Sequence, residues 1–301
     1  MQECGGVAAL VGLLAPGGTG AVHAQAAGAL AKLCRNNVSS RDTVRECGGV
    51  AALVGLLAPG GTDAVHAQAA WALAHLSHHN AVNKDCVRDC RGVAVLVGLL
   101  APGRPAAVLV HAAMALLKVC RKNTRNQDSV RECGVAAALV ALLVPGSSAA
   151  VLENAVLTLV YLCSKDTCSQ DSFRECGGVA ALIRLLAPGE TEALHALAAH
   201  ALANLCLNNA KNRDCVRECG GAAALVALLA PDGTDAVREH AAGAVVNLCT
   251  NNTRNQDSVQ DCDGVPALVG LLALACPAVV HMRAANALTL IARTARAAGR
   301  R

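Results

Sequence analysis

The stretch Glu46-Cys47-Gly48-Gly49-Val50-Ala51-Ala52-Leu53-Val54-Gly55-Leu56-Leu57-Ala58-Pro59 decides how the chain is read. Its acid–cysteine pair recurs at Glu3-Cys4, Asp89-Cys90, Glu132-Cys133, Glu175-Cys176, Glu218-Cys219 and Asp261-Cys262, each step being 43 residues. The proline thirteen residues after the acid recurs at Pro16, Pro102, Pro145, Pro188 and Pro231; the seventh copy has Leu274 there and Pro277 nearby. A fixed period of this length marks a repeat array rather than a set of unlike domains. The repeats run about 1–36, 37–79, 80–122, 123–165, 166–208, 209–251 and 252–301, the first and last incomplete.

Each repeat reads as three helices. Asn123 to Gly134 offers capping Asn and Asp residues, a two-turn segment, and then a glycine where a helix stops. Gly49–Leu57 places Leu53, Leu56 and Leu57 at i, i+3 and i+4 and ends before Pro59-Gly60-Gly61. A third and longest helix, about Asp63 to Ser77, carries the apolar stripe Ala69, Ala70, Leu73 and Leu76. Helices this short leave apolar faces that only a neighbouring repeat covers, so the fold expected is all-α, a single solenoid over 1–301 with seven 43-residue repeats.

Composition agrees. Of 301 residues 54% are hydrophobic, 16% are charged, and only Trp71, Tyr161 and Phe173 are aromatic, which suits close helix packing and disfavours both β-rich folds and base-stacking nucleic-acid binders. The net charge of +4 is too small to name a partner. The longest apolar run, Val265 to Val280, is broken by Pro266 and Pro277 and falls short of a membrane span. The start lacks the basic and apolar regions of a secretory signal, and no lipidation box is visible, so a cytoplasmic or nuclear compartment is expected.

The run Val216-Arg217-Glu218-Cys219-Gly220-Gly221-Ala222-Ala223-Ala224-Leu225-Val226-Ala227-Leu228-Leu229 resembles the first-to-second-helix junction of the armadillo repeat. Ala241 to Asn252 resembles that family's third helix, which in many members carries an asparagine near its end. The resemblance covers the whole chain and implies a right-handed α–α superhelix whose third helices line a concave groove for extended or helical segments of other proteins. Carried onto this sequence, the asparagine column holds Lys32, His75, Lys118, Tyr161, Asn204, Asn247 and Leu290. Four residues earlier stand Gly28, Trp71, Met114, Leu157, His200, Gly243 and Asn286; three earlier still, Gln25, Gln68, His111, Asn154, Leu197, His240 and Arg283. Four residues beyond the asparagine column are Asn36, His79, Lys122, Lys165, Asn208, Asn251 and Thr294.

These columns contain lysines, an arginine and histidines but no Asp or Glu. A groove so lined attracts acidic segments and repels basic ones. The contact residues expected are Lys32, Gln68, Trp71, His75, His111, Met114, Lys118, Lys122, Asn154, Tyr161, Lys165, His200, Asn204, His240 and Asn247, with the densest patch at Lys118, Lys122, Tyr161 and Lys165. The plain alternative is an ordinary solvated helix face. Nuclear-import adaptors of this family pair Trp with Asn in two of the columns, whereas no repeat here holds both, which weighs against a reader of basic signals. The substrate-recognition part of a ubiquitin-ligase-like protein, and end-to-end self-association through the uncapped first repeat, are further readings.

Other chemistry finds little purchase. Sixteen cysteines fall mainly into two registers, the acid–cysteine junction and the third-helix end at Cys34, Cys120, Cys163, Cys206 and Cys249, as small buried hydrophobes do. Cys86 with Cys90, and Cys215 with Cys219, stand i, i+4 and would suit a shared metal or a redox couple, but no second pair with zinc-site spacing accompanies them. His75, His78 and His79 cluster, with His75 and His79 read on one helical face, yet two ligands make no closed zinc site. His23, His66, His195 and His281 share one register, the mark of a repeat position rather than of a unique catalytic constellation. Arg45, Arg88, Arg131, Arg174 and Arg217 each sit beside an acid, which cancels the far field a nucleic-acid stripe needs. The expectation is therefore no enzyme, no cofactor, no metal and no nucleic acid.

Overall fold

A helix that buries one side chain and caps its own ends can be very short, and the first helix of each triplet is built that way. Val44, Val87, Val130, Phe173, Val216 and Val259, one register apart, are each at most 1% exposed on otherwise polar segments. Asn37, Asn80 and Asn123 accept from the backbone N–H three residues on at 3.0 to 3.1 Å, satisfying donors the helix itself cannot.

The computed structural model describes the backbone of residues 2–164 and 166–298 and the side chains of 5–164 and 166–292. The described residues form twenty helices and no strand, in two compact units. The first unit, residues 1–142 and 146–162, holds α1 (Gln2–Gly12), α2 (Gly20–Cys34), α3 (Val38–Glu46), α4 (Gly49–Leu56), α5 (Asp63–Leu76), α6 (Ala81–Asp89), α7 (Gly92–Gly98), α8 (Ala106–Cys120), α9 (Thr124–Glu132), α10 (Val135–Leu142) and α11 (Ala149–Leu162). The second, 143–145 and 163–301, holds α12 (Thr167–Glu175), α13 (Gly178–Arg184), α14 (Glu192–Cys206), α15 (Ala210–Glu218), α16 (Gly221–Ala227), α17 (Asp235–Cys249), α18 (Thr253–Asp261), α19 (Gly264–Ala273) and α20 (Ala278–Ala298).

The turn between first and second helices favours glycine for a steric reason, although Val135 takes the place of Gly49 in the fourth copy. Gly48 adopts φ +78°, and a Cβ on Gly49 would lie 2.8 Å from the Val44 carbonyl oxygen. Arg91 and Asp263 take the same left-handed conformation in their copies, at φ 61° and 59°. Near the start of the chain the expected glycine stop is not made: α1 runs unbroken through Gly5 and Gly6, which have open space around them and nothing to force a turn.

Third helices make the core. Ala69, Ala70, Leu73 and Leu76 are all 0% exposed, as the periodicity predicts. Burying each leucine is worth roughly 1.5–3 kcal/mol. In the first unit α2 packs on α5, α5 on α8 and α8 on α11; in the second α14 packs on α17 and α17 on α20. Thr62 caps α5 through a 3.4 Å bond from the Val65 N–H. The repeated histidines tie third helix to second: His23 donates to the Ala15 carbonyl, His66 to Ala58, His195 to Ala187 and His281 to Leu274, at 3.0 to 3.2 Å.

Candidate partner-binding faces

In the first unit the exposed sides of the third helices carry most of the expected contact residues. Gln25, Gly28, Lys32, Gln68 and Trp71 line a cleft of about 340 Å³ between α2 and α5. The Trp71 ring stacks on His111 (centroids 5.9 Å apart, 19° between planes) and meets His75 edge-on at 5.4 Å. His111 is fixed by donating from Nδ1 to the Ala67 carbonyl at 3.0 Å, and burial holds its pKa down. Asn154 is engaged with its own helix, donating to the Ala150 carbonyl at 2.9 Å. Half-buried Met114 shares the register of Trp71.

Toward the C-terminal ends of α5 and α8 the face becomes cationic. Burial, then Arg121, lowers the Lys118 pKa. Burial, then Arg35, Arg41, Lys118 and His111, lowers that of His75. His78 is pushed down to about 4, by burial first and then by Lys118, His79, Arg41 and Arg121. The Arg121 guanidinium lies 5.7 Å over the Tyr161 ring, a cation–π contact that joins α8 to α11. Lys32, Lys118 and Arg121 make no ion pair among the described residues, and α11 carries one acid, Glu153, two turns before Tyr161.

The outermost column is not on the helices. Asn36, His79, Lys122, Asn208 and Asn251 all have positive φ, 52° to 59°, and form left-handed turns just past the helix ends. His75 and His79 therefore do not share a helical face, because α5 ends at Leu76; the His79 ring packs on His78 instead, at 4.3 Å. Lys122 is exposed on such a turn, and Lys165 lies outside the described residues.

The second unit presents the same backbone with different chemistry. A cleft of about 380 Å³ is lined by His200, Asn204, His240, Gly243, Asn247, Arg283 and Asn286, among others. His200 and His240 stack with centroids 4.5 Å apart and planes 8° from parallel. Burial dominates the lowering of both pKa values; Arg283 adds to it and Glu239 opposes it, with each ring close to the other. Asn247 donates to the Ala203 carbonyl at 2.9 Å. Arg283 donates to the Glu239 carbonyl at 2.9 Å and pairs with its carboxylate at 3.0 Å, so its charge is largely spent within the face.

Two polar registers escape sequence reasoning. Asn83, Asn126, Asn212 and Asn255 are fully buried, and each donates both to the end of its preceding third helix and to the first helix 42 residues back; for Asn83 these are the Leu76 and Arg41 carbonyls at 3.0 and 3.2 Å. One residue later, buried Arg41 donates to the Cys34 carbonyl at 2.9 Å and to that of His78 at 2.7 Å, and Lys84 donates to the Arg121 carbonyl. Arg213 and Gln256 repeat the reach to the third-helix end, at 3.1 and 2.7 Å. The 43-residue recurrence of Asn after a capping Asn was the available signal.

The third-helix cysteines serve packing and the first-helix arginines local ion pairs. The third-helix cysteines are buried, with Cys34, Cys120, Cys206 and Cys249 pushed up to about 12 and Cys163 also raised. First-helix arginines are paired: Arg45 with Asp42 and Glu46 at 2.9 Å, Arg88 with Asp85 at 2.7 Å and Asp89 at 2.9 Å, Arg174 with Asp171 and Glu175 at 3.3 and 3.1 Å. No helix among the described residues is long and apolar enough to cross a membrane.

A family model of the armadillo/beta-catenin-like repeat matches residues 37–78, and one of the spinocerebellar ataxia type 10 protein domain matches 194–267. Among solved structures, an engineered protein aligns with a TM-score of 0.87 at 28% identity, over 95% of this chain and 68% of that one. A second engineered protein aligns with a TM-score of 0.75 at 27% identity, over 81% and 97%. A designed armadillo repeat protein solved in complex with the peptide (KR)4 aligns with a TM-score of 0.73 at 23% identity, over 80% and 99%. No curated protein matches the sequence.

Proposed function

The chain is an armadillo-repeat protein, and we propose that it is an interaction scaffold whose first unit holds an acidic, extended or helical segment of a partner protein across α2, α5, α8 and α11. One observation carries the reading: Lys118, Arg121, His75 and His78 lie close together, their mutual repulsion adding to burial in lowering the proton affinity of both histidines and of Lys118, and none of the four has a carboxylate partner among the described residues. A carboxylate-bearing ligand relieves that repulsion; a basic one adds to it. Lys32, Gln68 and Trp71 continue the contact at the cleft on α2 and α5, and Tyr161 closes it on α11. In the second unit His200, Asn204, His240 and Asn247 offer a near-neutral, hydrogen-bonding face that suits main-chain amides more than charge.

That a designed armadillo repeat protein is solved in complex with a peptide supports peptide binding by this fold, not the charge of the peptide bound here. Binding to fluorescent peptides matched in hydrophobicity but graded from acidic to basic, at low and moderate salt, tests the proposal. Acidic peptides should bind best and lose affinity with salt. Preference for basic peptides would replace this reading with that of an import-type adaptor.

A further inference from the structure

One register of the first helices has no part in peptide binding. Four residues before the junction cysteine stand Thr43, Cys86, Ser129, Ser172, Cys215 and Ser258. Where the side chain is a hydroxyl it can bond back into its helix, as Thr43 does by donating to the Ser39 carbonyl at 3.1 Å. In α6 and α15 a thiol takes its place, one turn below a second thiol. The Cys90 N–H donates to the Cys86 carbonyl and the Cys219 N–H to the Cys215 carbonyl, both at 3.0 Å, so each pair shares a helical face. Cys219 is exposed, and Cys86, Cys90 and Cys215 are partly so.

Geometry separates the chemistries open to such a pair. A disulfide needs Cβ atoms roughly 3.5–4.5 Å apart. Residues one helical turn apart hold theirs at about 5–6 Å, so closing the bond distorts the turn. An ion between the sulfurs needs no such movement. Zinc asks for four ligands, and no group of three or more His, Cys, Asp or Glu side chains gathers among the described residues. What remains is a soft ion satisfied by two thiolates. We infer that Cys86 with Cys90, and Cys215 with Cys219, are two equivalent dithiolate sites, one in each unit, for a soft monovalent cation of the Cu(I) class.

The balance is simple: two S–H groups release their protons, the cation forms two bonds to sulfur, no electron is transferred, and the product carries one negative charge. Arg45 lies near Cys86, and Arg174 near Cys215, in the same relation, 41 residues back in each case, each close enough to favour the thiolate while shared with carboxylates of its own helix. Each ion displaces the protons of the two thiols it binds, so affinity falls as pH falls.

The test is an anaerobic titration of the reduced full-length chain with Cu(I) against a competing chromogenic chelator, comparing it with C86S and C86S/C215S. Serine already occupies this register at Ser129, Ser172 and Ser258, so these variants keep the fold, which circular dichroism verifies. The unaltered chain should take two equivalents more than the double variant, the single variant one more, and the excess should shrink below neutral pH. Equal uptake by all three chains, or an excess indifferent to pH, overturns the proposal.

Discussion

The third-helix faces of the two units share a period and a backbone yet differ in what they offer. In the first, the asparagine column reads Lys32, His75, Lys118 and Tyr161, and Arg121 leans on the tyrosine; in the second it reads Asn204, Asn247 and Leu290, and the arginine present, Arg283, is neutralised by Glu239. The lesson is a division of labour. Buried polar registers on the first helices hold the repeats in place in both units, leaving the outward columns free to differ.

The largest expected effect breaks the shared part. Asn126 donates to the Lys84 and Val119 carbonyls at 3.0 and 3.1 Å and accepts from Arg88 at 3.1 Å, whereas Asn212 donates to Gln170 and Leu205 at 3.3 and 2.9 Å and its own oxygen has no partner. Truncation to alanine orphans two buried carbonyls in either place, a loss of about 2–4 kcal/mol. Asn126→Ala should cost more than Asn212→Ala by about 1 kcal/mol, the bond from Arg88. Urea midpoints at unchanged slope measure both; no loss in either variant would remove the spine from the account.

Legibility follows the same division. The period, the capping asparagines, the glycine turns and the Ala69, Ala70, Leu73, Leu76 stripe are visible because each is a local demand repeated every 43 residues. Asn83 and Arg41 stayed hidden because a polar residue on a short polar helix looks solvated; only stacking puts carbonyls of two other helices over it. Helical spacing does not carry past Leu76 and Cys120, where the chain turns left-handed, so His79 and Lys122 share no helical face with His75 and Lys118. Arg121 sits at that same boundary, one residue outside the columns that helical spacing defines.

A middle-sized effect sharpens the difference between the faces. Lys118→Glu with Lys122→Glu should weaken an acidic peptide about tenfold at low salt, on the order of 1.4 kcal/mol, and the gap should narrow as salt rises. Arg283→Gln should change the same affinity less than twofold, since Glu239 already spends that charge. Equal effects from the two variants would place the acidic ligand on the second unit as well.

The smallest effect is a proton count, and it asks whether the crowding in the first unit is what a ligand relieves. With its folded pKa near 4 against 6.5 when unperturbed, His78 remains neutral in the folded chain at pH 5.5 while its unfolded counterpart is mostly charged. Stability is thus intact above about pH 6.5 and declines as pH falls toward 4, where the unfolded chain binds protons that the folded one refuses. His75 acts in the same direction. An acidic peptide laid over Lys118 and Arg121 supplies negative charge, raises both histidines and draws protons in, so calorimetry at pH 5.5 in buffers of different ionisation enthalpy should record uptake of a fraction of a proton per peptide. Lys118→Glu places a carboxylate there beforehand and should cut that uptake. Burial comes first in lowering all four histidines, but around His75 and His78 the remaining charges are all cationic, whereas Glu239 already opposes Arg283 beside His200 and His240, so a ligand confined to the second unit should draw in fewer protons. The size of the buffer dependence, set against that of Lys118→Glu, therefore reports which face is occupied, without reference to affinity.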